Sequence, residues 1–226
     1  EPKDPVELPD SVPKLMVVSY TTNPETIYAG KPFELTLKLQ NTSKNKSIKN
    51  ASIALTLAEE ELMPDIGKSD SAYIDYLGPE KTATRTFYLK ALPTAVNPTS
   101  IIVVNMEYET PKVTKGTYSQ AIVLEIKQEV KVSLGEPAIY GAEHAKGEPI
   151  AVTIPIMNKG KGKIFNLQVD VEGEGLAMVE EYYGGDLLPA AKTDADFQII
   201  GTSPGEIQGS FIIKYEDIDG AEYMEE

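Results

Sequence analysis

The chain has 226 residues, no cysteine, one histidine and a formal net charge of −14 at pH 7. That charge repels duplex nucleic acid and anionic bilayer surfaces, and the lack of cysteine removes disulfides, thiolate nucleophiles and Cys-ligated zinc. A lone imidazole, His144, cannot build a zinc site of two or three histidines, and the length suits either one large domain or two of about 100 residues.

The first 13 residues, EPKDPVELPDSVP, set Pro2, Pro5, Pro9 and Pro13 among acids, a spacing that prevents helix and predicts an extended linker over 1–13. The chain opens on Glu1 rather than Met, so it reads as an excised fragment whose targeting ends were trimmed. Beyond the linker the pattern has period two. In FELTLKLQN, Phe33, Leu35, Leu37 and Leu39 share one face while Glu34, Thr36, Lys38 and Gln40 share the other. The same alternation runs through NASIALTL (Ile53, Leu55, Leu57), TATRTFYLKAL (Phe87, Leu89), SIIVVNMEYE, YSQAIVLEIK (Ile122, Leu124, Ile126), IAVTIPIMN, IFNLQVDV and GSFIIKYE. Short strands broken by Gly, Pro and Asn turns predict antiparallel sandwiches. LAEEELM, 57–63, is expected to form at most one helical turn, and 58–77 reads as the longest irregular stretch. The longest apolar run, IIVVNM at 101–106, falls far short of the ~20 residues that span a bilayer.

The chain repeats itself. Gly30, Pro32, Leu35, Leu37, Leu39 and Asn41 match Gly147, Pro149, Val152, Ile154, Ile156 and Asn158 at a constant separation of 117. Asn50 then matches Asn166, Pro79 matches Pro189, Phe87 matches Phe197, and Tyr108-Glu109 matches Tyr215-Glu216 at a separation of 107. The losses fall in loops, where deletions are tolerated. The fold expected is therefore all-β, two tandem immunoglobulin-like antiparallel β-sandwich domains over 14–128 and 129–226. Because YSQAIVLEIKQ runs almost directly into EVKVSLGEP, the join is expected to be stiff and the pair rod-like. The last strand of the second copy is represented only by EYMEE, 222–226, so the full-length protein is expected to continue.

Individual residues in the repeat have physical readings. Gly30 and Gly147 stand where the chain turns into its long core strand, a place for positive φ. Asn41 and Asn158 end that strand, where a short amide can close the turn. Pro155 lies mid-strand without an N–H, which requires either a bulge or an unpaired position.

The pattern NPETIYAGKPFELTLKLQNTSKNKSIKNASIAL, with its echo EPAIYGAEHAKGEPIAVTIPIMNKGKGKIFNLQV, resembles the bacterial CARDB-type and related surface-layer-like immunoglobulin modules. The resemblance implies an exported module, usually one of several in the ectodomain of a cell-surface protein, with some members encoded beside ABC-type export systems. The chain departs from many such modules in showing no wall-sorting signal or membrane helix.

No catalytic, cofactor-binding or metal-ligating residues are assigned. YEDIDGAEY, 215–223, offers Asp217 and Asp219-Gly220 but lacks the twelve-residue spacing and closing Glu of a calcium loop. It reads instead as a hairpin with a type I′ turn at Asp219-Gly220. Glu59, Glu60, Glu61, Asp65 and Asp70 read as a solvated acidic loop, and His144 as exposed. No Gly-x-Ser-x-Gly elbow is present, and the missing tryptophan argues against a sugar platform. The expected role is a non-catalytic extracellular spacer and adhesion module with a protein partner at the cell surface. Neither nucleic acid nor a cofactor is expected, and membrane contact is expected only through an anchor outside this fragment. The alternatives are an accessory ectodomain of an ABC-type export complex and a carbohydrate- or calcium-binding module.

Overall fold

Alternating side chains make strands. A computed structural model describes residues 11–95, 98–112, 114–141 and 143–226 of the chain, and no helix occurs among them. Two units are distinguished, Glu1–Lys127 and Gln128–Glu226. The first contains β1 (Leu15–Asn23), β2 (Ile27–Tyr28), β3 (Pro32–Asn41), β4 (Ile48–Thr56), β5 (Leu62–Pro64), β6 (Ser71–Leu77), β7 (Thr82–Ala91), β8 (Thr99–Glu109) and β9 (Lys115–Lys127). Its two sheets run β1-β3-β7-β5 and β2-β9-β8-β4-β6, the arrangement of an immunoglobulin-like sandwich.

The second unit contains β10 (Val132–Leu134), β11 (Ala138–Ile139), β12 (Pro149–Asn158), β13 (Ile164–Glu172), β14 (Leu176–Met178), β15 (Tyr182–Leu187), β16 (Lys192–Gly201), β17 (Ser210–Glu216) and β18 (Glu222–Glu225). Its sheets run β10-β12-β16-β14 and β15-β13-β17-β18. One strand changes sides. β2 pairs in parallel with β9 at Ile27↔Ile126, whereas β11 stays on β12 at Ile139↔Val152.

Each unit has its own core. In the first, Phe33, Leu35, Leu37 and Leu39 of β3 and Phe87 and Leu89 of β7 belong to one buried cluster with Ile53, Ile102, Val104, Met106, Ile122 and Leu124 of the other sheet. In the second, Val152, Ile154, Ile156 and Ile199 cluster with Ile164, Leu167, Val169, Ile213 and Tyr215. Burying aliphatic side chains between two sheets is the main driving force for such a fold, at about 25 cal/mol per Å² of apolar surface.

Repeated residues coincide with repeated backbone devices. Gly30 and Gly147 have φ of +83° and +77°, and their N–H groups donate to the carbonyls of Ala91 and Gly201. Asn50 and Asn166 sit at φ +48° and +54°, where β4 and β13 each slip register. Asparagine tolerates that left-handed conformation better than most residues. The slip explains why the inward set of β13 reads Ile164, Leu167, Val169 rather than strict alternation. Each asparagine also donates to the matched glutamate, Asn50 Nδ2 to Glu109 at 3.0 Å and Asn166 Nδ2 to Glu216 at 2.9 Å.

Pro79-Glu80 and Pro189-Ala190 are the centres of two further matched turns. Lys81 N–H donates to Gly78 O and Ala191 N–H to Leu188 O, with φ +57° at Glu80 and +60° at Ala190. Proline followed by a positive-φ residue is a type II turn, which favours glycine at its third position. Glu80→Gly and Ala190→Gly are each expected to raise stability by about 1 kcal/mol, because a Cβ in the left-handed region is relieved. Thermal melts test this, and a lowered midpoint in either variant would contradict the strain.

Asn41 and Asn158 do more than close a turn. Both are fully buried. Asn41 Nδ2 donates to the carbonyls of Lys46 (2.8 Å), Leu77 (3.1 Å) and Gly78 (3.1 Å), while its Oδ1 accepts from Ser43 N–H at 3.0 Å. Asn158 repeats the scheme with Gly162 O (2.8 Å), Leu187 O (3.1 Å) and Gly160 N–H (2.9 Å). One amide thus ties the end of a strand in one sheet to the end of β6 or β15 in the other.

Pro155 is paired without strain although its strand is central. It lies opposite Asp194 of β16, and its carbonyl accepts from Gly135 N–H at 2.7 Å. Its nitrogen faces the same side, in the interval between the residues paired to β10 and those paired to β11. The missing N–H falls where no ladder needs it. A Cβ on Gly135 would sit 2.9 Å from the proline ring, so this approach requires glycine.

Some expectations are corrected. The stretch 58–77 is not one irregular loop: β5 pairs with β7 and β6 with β4, and only 65–70 separates them. Charged neighbours hid the alternation of Ala72 and Ile74. The hairpin at Asp217 is not type I′, because only Gly220 has positive φ. Gly220 N–H donates to Asp217 O and Asp217 N–H to Ala221 O, a type I turn closed by a left-handed glycine. Residues 1–10 of the expected linker lie outside the described residues. Ser11 and Pro13 are held to the first unit, Ser11 Oγ lying 2.8 Å from Ser43 Oγ and Pro13 being buried.

Candidate interaction face

The sheet β2-β9-β8-β4-β6 turns one face to its core and the other outward, and the outward face of its longest hairpin is apolar at one end. Ile101 of β8 lies directly opposite Val123 of β9, and Val103 opposite Ala121. Ile101 and Val123 are 56% and 50% exposed, so two large aliphatic side chains adjoin in solvent. Facing cross-strand pairs of this kind attract each other but leave their outer surface wet.

Further along the hairpin the face becomes polar. Ser119 Oγ donates to Asn105 Oδ1 at 2.8 Å and Asn105 Nδ2 to Thr56 Oγ1 at 2.9 Å, and Lys115 pairs with Glu107 at 2.9 Å. The apolar end is therefore bounded rather than diffuse.

A groove of about 410 Å³ adjoins the patch, lined by Tyr20, Thr21, Thr22, Ile27, Val123 and Leu124, with Glu25 and Glu125 also on its wall. It forms where the chain leaves β1 and crosses to β2 in the opposite sheet. Tyr20 Oη donates to Val123 O at 2.8 Å, which fixes the ring beside the patch, and Thr22 Oγ1 donates to Glu25 O. An apolar wall, peptide groups and two carboxylates suit an aliphatic side chain flanked by cations. They offer no nucleophile and base in hydrogen-bond reach.

Elsewhere the polar groups serve the fold. Tyr108 is buried and donates to Pro13 O at 2.9 Å, and burial pushes its phenol above the usual range. Tyr215, its repeat partner, is raised by burial and then by the charge of Glu225. A hydrogen bond from Lys214 to Asp170 at 2.6 Å, reinforced by the aspartate's charge, raises the lysine.

The residues singled out in the sequence are dispersed. Asp217 is nearly buried. Its Oδ1 accepts from the N–H groups of Asp219 and Ala221 and its Oδ2 from Tyr223 Oη, so the carboxylate is consumed within its own hairpin. Among the described residues, no three His, Cys, Asp or Glu side chains gather as a metal would need. Glu59–Glu61 occupy a turn before β5, Asp65 caps its own loop through Ile66 N–H, and Asp70 O accepts from Leu55 N–H. His144 is half-buried rather than exposed: its ring packs on Gly141, where a Cβ would lie 2.5 Å from Cε1.

No family model matches the chain. No curated protein matches it either. Among solved structures it is similar to the red sea bream transglutaminase crystal structure, with a TM-score of 0.32 at 11% identity over 92% of this chain and 30% of that one. It is also similar to a protein of unknown function from Porphyromonas gingivalis W83, with a TM-score of 0.34 at 13% identity over 92% of this chain and 93% of that one. Neither likeness carries an argument about function, and the chain spans under a third of the transglutaminase.

Sequence reasoning passed over Ile101 and Val123, although a signal was present. SIIVVNM and AIVLEIK are apolar at both parities, and a strand with one wet face needs only one.

Proposed function

We propose that this chain is a non-catalytic spacer and protein-interaction module of a bacterial cell-surface protein of the CARDB-like kind, and that the first unit makes the contact. The observation that carries the reading is the Ile101–Val123 pair, two aliphatic side chains exposed side by side at the rim of a groove. Bounded apolar patches with polar surroundings are the usual form of a protein-binding surface. The charge of −14 supports the same role, since it keeps such a module soluble and away from anionic polymers.

The test is cross-linking on intact source cells, with a photoreactive residue at Thr21 on the groove wall, followed by mass spectrometry of what is captured. A specific partner protein is expected, and the Ile101→Glu, Val123→Glu double variant should capture at least about tenfold less, in line with the loss of a central apolar anchor. Capture of a membrane permease would favour the export-accessory role. Undiminished capture by the double variant would overturn the reading.

A further inference from the structure

The groove beside the Ile101–Val123 pair is a gap between two strand edges, and its chemistry specifies what can lie in it. β1 is the outer strand of its sheet, and on that side β9 is paired with β2 only at Ile126 and Lys127. Side chains bridge the gap at two levels. Gln120 accepts from Val17 N–H at 3.1 Å and donates to Val17 O at 3.0 Å, and Tyr20 Oη donates to Val123 O at 2.8 Å. Past Tyr20 the gap opens, with Thr21 and Thr22 of β1 on one wall and Val123, Leu124 and Glu125 of β9 on the other.

Alternation fixes which main-chain groups face it. Ile126 N–H donates to Pro98 O, on the β8 side, and neighbouring residues of an antiparallel strand turn their N–H and C=O groups to opposite sides. Val123 and Glu125 therefore turn theirs away from β8 and toward β1, in agreement with the bond from Tyr20 to Val123 O. Their side chains, two positions apart, share the outward face. One is the aliphatic partner of Ile101 and the other is a carboxylate. A second carboxylate, Glu25, also stands on the groove wall. Among the described residues neither Glu25 nor Glu125 takes part in an ion pair.

We propose, resting on the reading of this face as the contact surface, that the groove takes an extended segment of the partner protein bearing an aliphatic residue with a lysine or arginine two positions away. Laid along β9, the segment pairs its main chain with the N–H groups of Val123 and Glu125. Its aliphatic side chain covers Val123 and Ile101, and the cation two positions on becomes the cross-strand neighbour of Glu125. An acidic segment is repelled by both carboxylates, and a wholly apolar one would desolvate them without a partner.

The probes are three fluorescent peptides titrated into the full chain: TKTVTKT, TETVTET with glutamate for both lysines, and TKTDTKT with aspartate for the valine. Saturable one-to-one binding of TKTVTKT is expected, and the other two should each bind at least about tenfold more weakly. Glu125→Gln in the full chain should weaken TKTVTKT about fivefold and flatten the salt dependence of its affinity. Any of four results would overturn the proposal: no saturable binding of TKTVTKT, equal binding of TETVTET, equal binding of TKTDTKT, or no effect of Glu125→Gln. Capture on cells through Thr21 judges the underlying reading separately. Capture lost in the Ile101→Glu, Val123→Glu variant, with no discrimination among the peptides, removes the basic segment and leaves the contact surface standing, whereas capture that persists in that variant removes the contact surface itself.

Discussion

Replacing Asn41 by alanine is expected to lower the stability of the first unit by about 3–5 kcal/mol, and Asn158→Ala that of the second by a similar amount. The side chain of Asn41 is fully buried and serves three carbonyls and one N–H. Alanine cannot replace any of these bonds. Each buried group stranded without a partner costs about 1–3 kcal/mol, and the backbone around it has some freedom to relax, so the total should fall below the sum. Asn41→Asp should cost more still, because it retains the acceptor for Ser43 but sets a carboxylate oxygen against the carbonyls of Lys46, Leu77 and Gly78. Hydrogen exchange read by mass spectrometry separates the two units, since peptides from β3 and β12 report independently. Loss of protection confined to β3 in Asn41→Ala, and to β12 in Asn158→Ala, is the expected result. A change under about 1 kcal/mol would mean the amide is not the tie between sheets that its geometry indicates.

These asparagines also show what the sequence could convey. The matched positions were visible as letters, and with them the strands, because period-two alternation follows directly from a sheet with one dry face. Asn41 and Asn158 were legible as strand ends. Their reach to Leu77 and Leu187 was not, because that contact depends on which strand ends return to the same corner. Asn50 and Asn166, and Pro79 and Pro189, were matched without a reason, and the reason is backbone geometry: two register slips and two type II turns. β5 was concealed by being only three residues long and β6 by the acids in and beside it, Asp70 and Asp75; short length and charge are how edge strands avoid pairing with other molecules. The candidate face was the least legible part. An exposed Ile101 and a buried Ile102 are adjacent identical letters, and only the register against β9 tells which one faces solvent.

Phe87 and Phe197 occupy matched positions, opposite Leu35 and Val152. Phe87 is 2% exposed and belongs to the main core of its unit. Truncating it to alanine should cost about 3–5 kcal/mol, the usual range when a closed core is left with a cavity it cannot collapse into. Phe197 is half-buried and rests among other rings, 6.2 Å from Tyr182 and 5.6 Å from Phe211 between centroids. Phe197→Ala should cost less, about 2 kcal/mol, because less surface returns to water and neighbouring rings at a partly open site can move in. Urea titrations of the two variants, with protection of β7 and β16 followed separately, measure the difference. The asymmetry follows from the surroundings of each ring: Phe87 lies inside its core, while Phe197 packs on Tyr182 and Phe211, which are themselves only half-buried. Equal losses would mean that the second core is as well closed around its ring as the first.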